Sequence, residues 1–206
     1  MAVRLSCNGL FIKKMKVCVF AASSSRIEKV YFDAASELGT LLAEAGMEVI
    51  YGGGGIGLMG KLADAILEKG GKITGVIPEF MRTEGWGHPG ITETIVTQDM
   101  SERKKRMFKI ADAIIALPGG IGTIEELTEA ITLKQLGLYK GPIIILNTLN
   151  YYKSFIEFLD HMIKGHFLRL EHKEIWKLVK TPGEALEALN GYKGWVDDPR
   201  SIARIF

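Results

Sequence analysis

Two stretches of this chain run from a short apolar segment into clustered glycines and out into a helical pattern. They are Tyr51-Gly52-Gly53-Gly54-Gly55-Ile56-Gly57-Leu58-Met59-Gly60 and Leu117-Pro118-Gly119-Gly120-Ile121-Gly122-Thr123-Ile124-Glu125-Glu126. A strand ending in glycines and followed at once by a helix is the turn of a βα unit. Repeated units of that kind fold as a parallel sheet with helices over both faces. The rest of the chain keeps the same rhythm. Apolar runs at 16–21, 47–51, 72–77, 113–117 and 142–146 read as strands, with further strands at 93–96 and 175–179. Helical patterns fall at 28–45, 58–68, 100–110, 124–136 and 152–164, and Thr181-Pro182-Gly183-Glu184 starts another. Residues 79–97 read as irregular up to the strand at 93. The expectation is one doubly wound α/β domain over 15–206 with a mainly parallel sheet. Such sheets take ligands at the carboxyl ends of their strands.

Composition narrows the function. Of 206 residues, 24 are glycine, about 12% against a usual ~7%. Nine of them sit in the two turns, six in 52–60 and three in 119–122. The net charge of +2, from 26 basic and 24 acidic residues, lacks the excess of a nucleic-acid binder. No apolar run reaches the ~18 residues of a membrane span. Two cysteines, Cys7 and Cys18, make no disulfide framework and no metal-ligand spacing, which points to a reducing cytoplasm. Asn8, Gly9 and the lysines at 13, 14 and 16 spoil a signal peptide, and Met15 opens a cleaner start. Residues 1–14 are therefore expected to be an N-terminal extension.

The first glycine loop lets backbone approach a ligand closely, and the helix behind it offers N–H groups and a positive dipole end. Gly55-x-Gly57-x-x-Gly60, with Glu79 about 20 residues on, also fits a dinucleotide fingerprint. The bland alternative is a tight turn kept small for helix–sheet packing. In the second loop, Thr123 and Glu126 have the T-x-x-E spacing of a capping box. The functional reading has the Gly119–Thr123 amides and the Thr123 hydroxyl holding a phosphate. Glu126 and Glu129 share a helix face, while Ile124, Leu127 and Ile131 belong to the core. A carboxylate in the first helical turn is held ionised by the dipole, suited to stabilising a cation or orienting water. Neither loop ends in Gly-Lys-Ser/Thr, so neither is a Walker motif. Two such loops on one crevice suggest a phosphorylated small molecule. Between them, Arg103-Lys104-Lys105-Arg106 is either a solvated helix face or a clamp, with Arg103 bidentate on an anion and Lys104 adding a point charge. His88, His161, His166 and His172 lack metal-site spacing and read as surface or core.

Ser-Ser after the first strand, GGGxxGLMG, M-x-x-R-K and PGGxGTxEE together resemble the LONELY GUY family of cytokinin riboside 5′-monophosphate phosphoribohydrolases, often labelled lysine decarboxylases. The resemblance covers about residues 16–180. It implies a Rossmann-like homodimer that hydrolyses the N-glycosidic bond of a nucleoside 5′-monophosphate, without a cofactor or a metal. It implies Arg103 and Glu126 as the catalytic pair. It also implies Lys104, Gly120, Ile121, Gly122, Thr123, Ile124, Glu125, Thr132 and Glu84 as substrate-binding positions, to which the reading of the loops and the helix face adds Gly119, Glu129, Gly53, Gly54 and Ser24. The chain departs from the family pattern in three places. Ala21-Ala22-Ser23-Ser24 replaces Cys-Gly-Ser-Ser, Ile121 replaces an aromatic, and the irregular loop carries Trp86-Gly87-His88-Pro89. Base preference is where these changes are expected to act. The alternative is a nucleotide- or cofactor-binding protein without hydrolase activity, resembling molybdenum-cofactor carriers that share the PGGxGT loop.

Overall fold

The computed structural model describes residues 14–203. The expected N-terminal extension lies outside that range except for Lys14. In chain order the elements are β1 (Lys16–Phe20), α1 (Lys29–Glu44), β2 (Glu48–Tyr51), α2 (Gly57–Glu68), β3 (Lys72–Pro78), α3 (Glu79–Thr83), β4 (Glu93–Thr97) and α4 (Met100–Ile110). They continue with β5 (Ala113–Ala116), α5 (Ile121–Gln135), β6 (Ile143–Leu146), α6 (Lys153–Lys164), β7 (Trp176–Val179), α7 (Pro182–Asn190) and α8 (Pro199–Ala203).

The strands form one seven-stranded sheet in the order β4-β3-β2-β1-β5-β6-β7, and every strand pairing is parallel. A parallel strand covered on both faces must be apolar along its whole length. The inner strands obey: AIIA of β5 and IIIL of β6 are buried throughout. Alternate side chains feed two cores. Val17 and Val19 pack with Leu38 and Leu42 of α1, Leu58, Leu62 and Ile66 of α2, and Ala185 and Leu189 of α7. Cys18 and Phe20 pack with Met107 and Phe108 of α4 and Leu127, Ala130 and Ile131 of α5.

The chain walks outward from β1 to β4, returns to lay β5 beside β1, and walks out the other way. The loops leaving β1 and β5 therefore diverge to opposite faces and open a crevice between them. Two details differ from the sequence reading. Residues 79–83, expected to be irregular, form α3. Helix α5 starts at Ile121, three residues before the expected Ile124. The N-cap at Thr181 is as read: its hydroxyl accepts the Glu184 N–H at 3.2 Å. Among the described residues, no helix is long and apolar enough to cross a membrane.

Candidate active site

At the crevice, the segments leaving β1, β2, β3 and β5 enclose a cavity of about 630 Å³, a size suited to a small-molecule ligand. Arg103 and Glu126 line it, and each is more than nine-tenths buried. Local sequence delivers Arg103 there. Asp99 caps α4 by accepting the Glu102 N–H at 2.8 Å, and the Glu102 carboxylate accepts the Gln98 N–H at 2.8 Å. This acidic first turn fixes where α4 begins and turns Arg103 inward. Its Nε donates to the Val76 carbonyl at 2.9 Å and its Nη1 to Glu126 Oε1 at 2.6 Å. Gly52 is the residue that makes room: a Cβ there would lie 2.4 Å from Arg103 Nη2.

The capping-box reading of Thr123 and Glu126 does not hold. The N-cap of α5 is Gly120, in extended conformation, so Thr123 is the third helical residue and Glu126 the sixth. Glu126 therefore lies in the second turn, beyond the reach of the first-turn dipole effect that sequence suggested. Its carboxylate turns into the protein toward Arg103. Burial pushes the Glu126 carboxyl up from the ordinary glutamate value of 4.5, and the Arg103 guanidinium pulls part of that shift back. A buried pair of this kind is costly to break, at about 3–5 kcal/mol when one partner is removed.

The two glycine loops also prove unequal. Helix α5 has no side-chain cap and no acidic residue in its first turn, and its first internal bond is Ile124 N–H to the Gly120 carbonyl. The amides of residues 121–123 thus precede the helical ladder, and Gly120 to Thr123 line the cavity. Amides so placed are free to donate to an anion in the cavity. The start of α2 is instead plugged by the protein itself. Gly57 sits at φ +70° with its α-carbon hard against the chain after β1, where a Cβ would lie 2.5 Å from the Ser23 carbonyl carbon. The Met59 N–H donates to the Ala22 carbonyl at 3.2 Å. At least one of the amides expected to be open there is therefore taken by the protein itself. The dinucleotide alternative loses its acid as well, since Glu79 is exposed and bonded at 2.6 and 3.0 Å to Arg82 on α3.

Of the residues singled out in sequence, the cavity gathers Arg103, Glu126, Gly54, Gly120, Ile121, Gly122, Thr123 and Glu125. The others stand elsewhere. Lys104 ties α4 to α5 through Glu125 and, at 2.7 Å, Glu129, and those carboxylates push its ammonium up. Ser24 is exposed and accepts the Arg26 N–H. Gly53 is buried against Ile77, and the carbonyl of Gly119 accepts the Tyr151 hydroxyl at 2.6 Å. Ile124 packs against the core. Thr132 donates to the Thr128 carbonyl, and Glu84 caps the exposed end of α3. The cavity also takes in Gly52 and Met59 of the first glycine loop and Met100 of the M-x-x-R-K motif, while sequence reasoning missed Ile77 and Met81 among its walls. The available signal was position: each lies at a strand's carboxyl end or at the start of a following helix. Among the described residues, no three His, Cys, Asp or Glu side chains group to hold a metal ion.

Comparison with known proteins decides the family. Residues 59–189 match the family described as "Possible lysine decarboxylase". The cytokinin riboside 5′-monophosphate phosphoribohydrolase LOG of Oryza sativa subsp. japonica is 40% identical over 178 residues, 86% of this chain and 73% of the rice protein. A cytokinin riboside 5′-monophosphate phosphoribohydrolase of Arabidopsis thaliana is 38% identical over 180 residues, 87% of this chain and 84% of its own. The chain belongs to the LONELY GUY family. Solved structures agree on the fold. The molybdenum cofactor carrier protein of Chlamydomonas reinhardtii superposes with a TM-score of 0.67 at 21% identity, covering 86% of this chain and 97% of its own. The molybdenum cofactor binding protein of Rippkaea orientalis gives 0.66 at 18% identity, covering 87% and 97%. At those identities the likeness speaks for the Rossmann-like fold of this LONELY GUY protein and for nothing finer.

Proposed function

We propose that the chain hydrolyses the N-glycosidic bond of a purine nucleoside 5′-monophosphate, AMP or an N6-substituted relative, to the free base and ribose 5-phosphate. The observation that carries this reading is the buried Arg103–Glu126 pair facing the same cavity as the open amino end of α5. An anion held at Gly120 to Thr123 anchors one end of the substrate. The sugar then lies over the two buried charges. The names of the relatives point to the same chemistry.

In this reaction the bond from C1′ to the base nitrogen breaks, its electrons leave with the base, and positive charge builds on the sugar ring. Ionised Glu126 stabilises that charge from a site of low dielectric. It also accepts the proton of the water that adds to C1′, as the carboxylates of glycosidases do, and the departing base nitrogen takes up a proton in exchange, so that one water is consumed and Glu126 returns to its ionised form. Burial suits it to this, because a carboxyl raised above its ordinary value is a stronger base. Arg103 keeps Glu126 ionised and aimed. The phosphate anchor contributes orientation, which turns a loose encounter into a fixed geometry.

The test is release of free base, separated by chromatography, from a panel of nucleoside monophosphates. Glu126→Gln and Arg103→Ala are each expected to lower the rate about a thousandfold while leaving the far-ultraviolet dichroism intact. Wild-type turnover by both variants would overturn the assignment. Tight nucleotide binding with no base release from wild type would favour a carrier instead.

We further infer a homodimer working in the cytoplasm. Support for the dimer comes from Phe158 of α6 and from Phe167 and Leu170 just beyond it, all exposed. Light scattering at twice the chain mass is the expected result. The compartment rests on the cysteine usage read above.

A further inference from the structure

The loop of residues 84–92 is the part of the cavity wall that the hydrolase chemistry leaves without a role, and it is anchored more firmly than a passive connection requires. The Gly55 N–H donates to the Trp86 carbonyl at 3.0 Å, and the His88 N–H donates to the Gly53 carbonyl at 2.9 Å. Gly54 and Gly87 pair as an antiparallel bridge. The His88 imidazole adds a side-chain clamp, since its Nδ1 accepts the Gly90 N–H at 3.1 Å. That bond leaves the ring proton on Nε2, which stands 3.0 Å from Asp64 Oδ1 on α2. Loop, glycine turn and α2 are thereby joined into one wall.

The wall presents Trp86. Its ring lines the cavity and is half exposed, with Phe80 behind it edge-to-face at 6.4 Å between centroids. Ile77 near the end of β3 and Met81 of α3 line the cavity with it, as does Met100 at the start of α4. Sheet order sets the distance to the anion site. Helix α5 follows β5, and the Trp86 loop, which leaves β3, is bonded back onto the turn that follows β2, with β1 between β2 and β5. Two strand spacings come to about 10 Å, within the length of a nucleoside monophosphate. The Arg103–Glu126 pair, bonded to β3 through Val76 and to α5 through Glu126 itself, lies between the two ends.

We propose that Trp86 stacks on the base of the bound nucleotide and that His88, bonded to Asp64, is the positioning residue that holds it there. This rests on the hydrolase reading and adds a specificity-determining side chain to it. A stacked base is sensitive to the presence of an aromatic face and indifferent to which aromatic supplies it.

The experiment compares wild type with Trp86→Ala, Trp86→Phe, His88→Ala and His88→Asn, using AMP as substrate and ribose 5-phosphate as a competitive inhibitor that lacks a base. Trp86→Ala is expected to raise KM for AMP by about tenfold or more with kcat changed less than about threefold. Trp86→Phe recovers most of that loss. His88→Ala raises KM in the same way, and His88→Asn, which keeps an acceptor and a donor, recovers part of it. The inhibition constant of ribose 5-phosphate stays constant across the series. A KM for AMP that does not move, or a ribose 5-phosphate constant that moves with it, overturns the proposal by making the loop merely structural. Intrinsic fluorescence separates this from the hydrolase reading. In the Glu126→Gln background AMP is expected to quench emission and ribose 5-phosphate is not, with the difference lost in Trp86→Phe. Should wild type release no base from any nucleotide, the hydrolase reading falls, while the AMP-specific quench still decides the stacking.

Discussion

Gly52→Ala isolates what the placement of Arg103 is worth, because it touches the guanidinium without touching its charge. The added carbon would lie 2.4 Å from Arg103 Nη2 and 3.1 Å from the Met59 sulfur. Non-bonded heavy atoms rest at about 3.5 Å, so the guanidinium must retreat by roughly 1 Å. It retreats against two short bonds, 2.9 Å to the Val76 carbonyl and 2.6 Å to Glu126. Misplacing a catalytic group by that much costs about 100-fold in rate, equivalent to about 2.7 kcal/mol of transition-state stabilisation. The closest contacts of the new carbon are side-chain atoms and no backbone is obstructed, so the fold is expected to survive with a loss of about 1–3 kcal/mol. The assay is base release from AMP with kcat and KM resolved, beside a thermal melt. The expected result is a kcat about 100-fold lower in a protein that still melts cooperatively. Activity within threefold of wild type would show that the pair tolerates displacement and that its geometry is not what drives the reaction.

Other outcomes follow from the same structure. Gly122→Ala introduces a Cβ with open space around it and should raise helix stability by about 0.5–1 kcal/mol. If the anion binds where α5 begins, KM for AMP should nevertheless rise, and unchanged KM would move the phosphate elsewhere. In the proposed reaction Glu126 acts ionised, and burial holds its carboxyl above 4.5. The rate should therefore fall as pH drops through a midpoint above that value, and a limb at or below it would contradict the buried setting. Lys134 is enclosed and donates to the Gly141 carbonyl at 2.9 Å, and burial lowers its ammonium from 10.5 to about 8. The unfolded chain then holds this proton more tightly than the folded one between those values, so wild type should lose stability as pH falls from 10.5 toward 8. At about 1.36 kcal/mol per pKa unit the loss is on the order of 1–3 kcal/mol once partial solvent screening is allowed for. In Lys134→Met that loss should be absent from urea melts run across the range.

The strand and helix order was legible because each inner strand must be apolar on both faces, a signal confined to four or five consecutive residues. Helix α3 was not, since EFMRT makes little more than one turn and buries nothing. The start of α5 was misread because Thr123 and Glu126 imitate a cap, while the real boundary is set by the extended conformation of Gly120. Arg103 and Glu126 were found through motif resemblance. The bond between them spans 23 positions, and no local pattern encodes it. The closure of α2 by residues 22–24 was hidden for a related reason: the competitor for its amides is a carbonyl from another βα unit. Trp86 and His88 were visible as an oddity of composition, but only the pairing of their loop with the glycine turn gives them an address.

The position of β1 has a consequence for how the protein comes into being. Val17 pairs with Ala113, 96 residues later, while on its other side Val17 meets Val49. Chain emerging from a ribosome therefore completes one edge of KVCVF early and leaves the other open for the synthesis of some 60 further residues. At about 5–20 residues per second that is several seconds with an apolar edge unpaired at what becomes the centre of the sheet. Exposed edges of this kind recruit other strands. The arrival of β5 ends that exposure and in the same step brings residues 120–126 to the crevice, so the centre of the sheet closes as the candidate site is assembled.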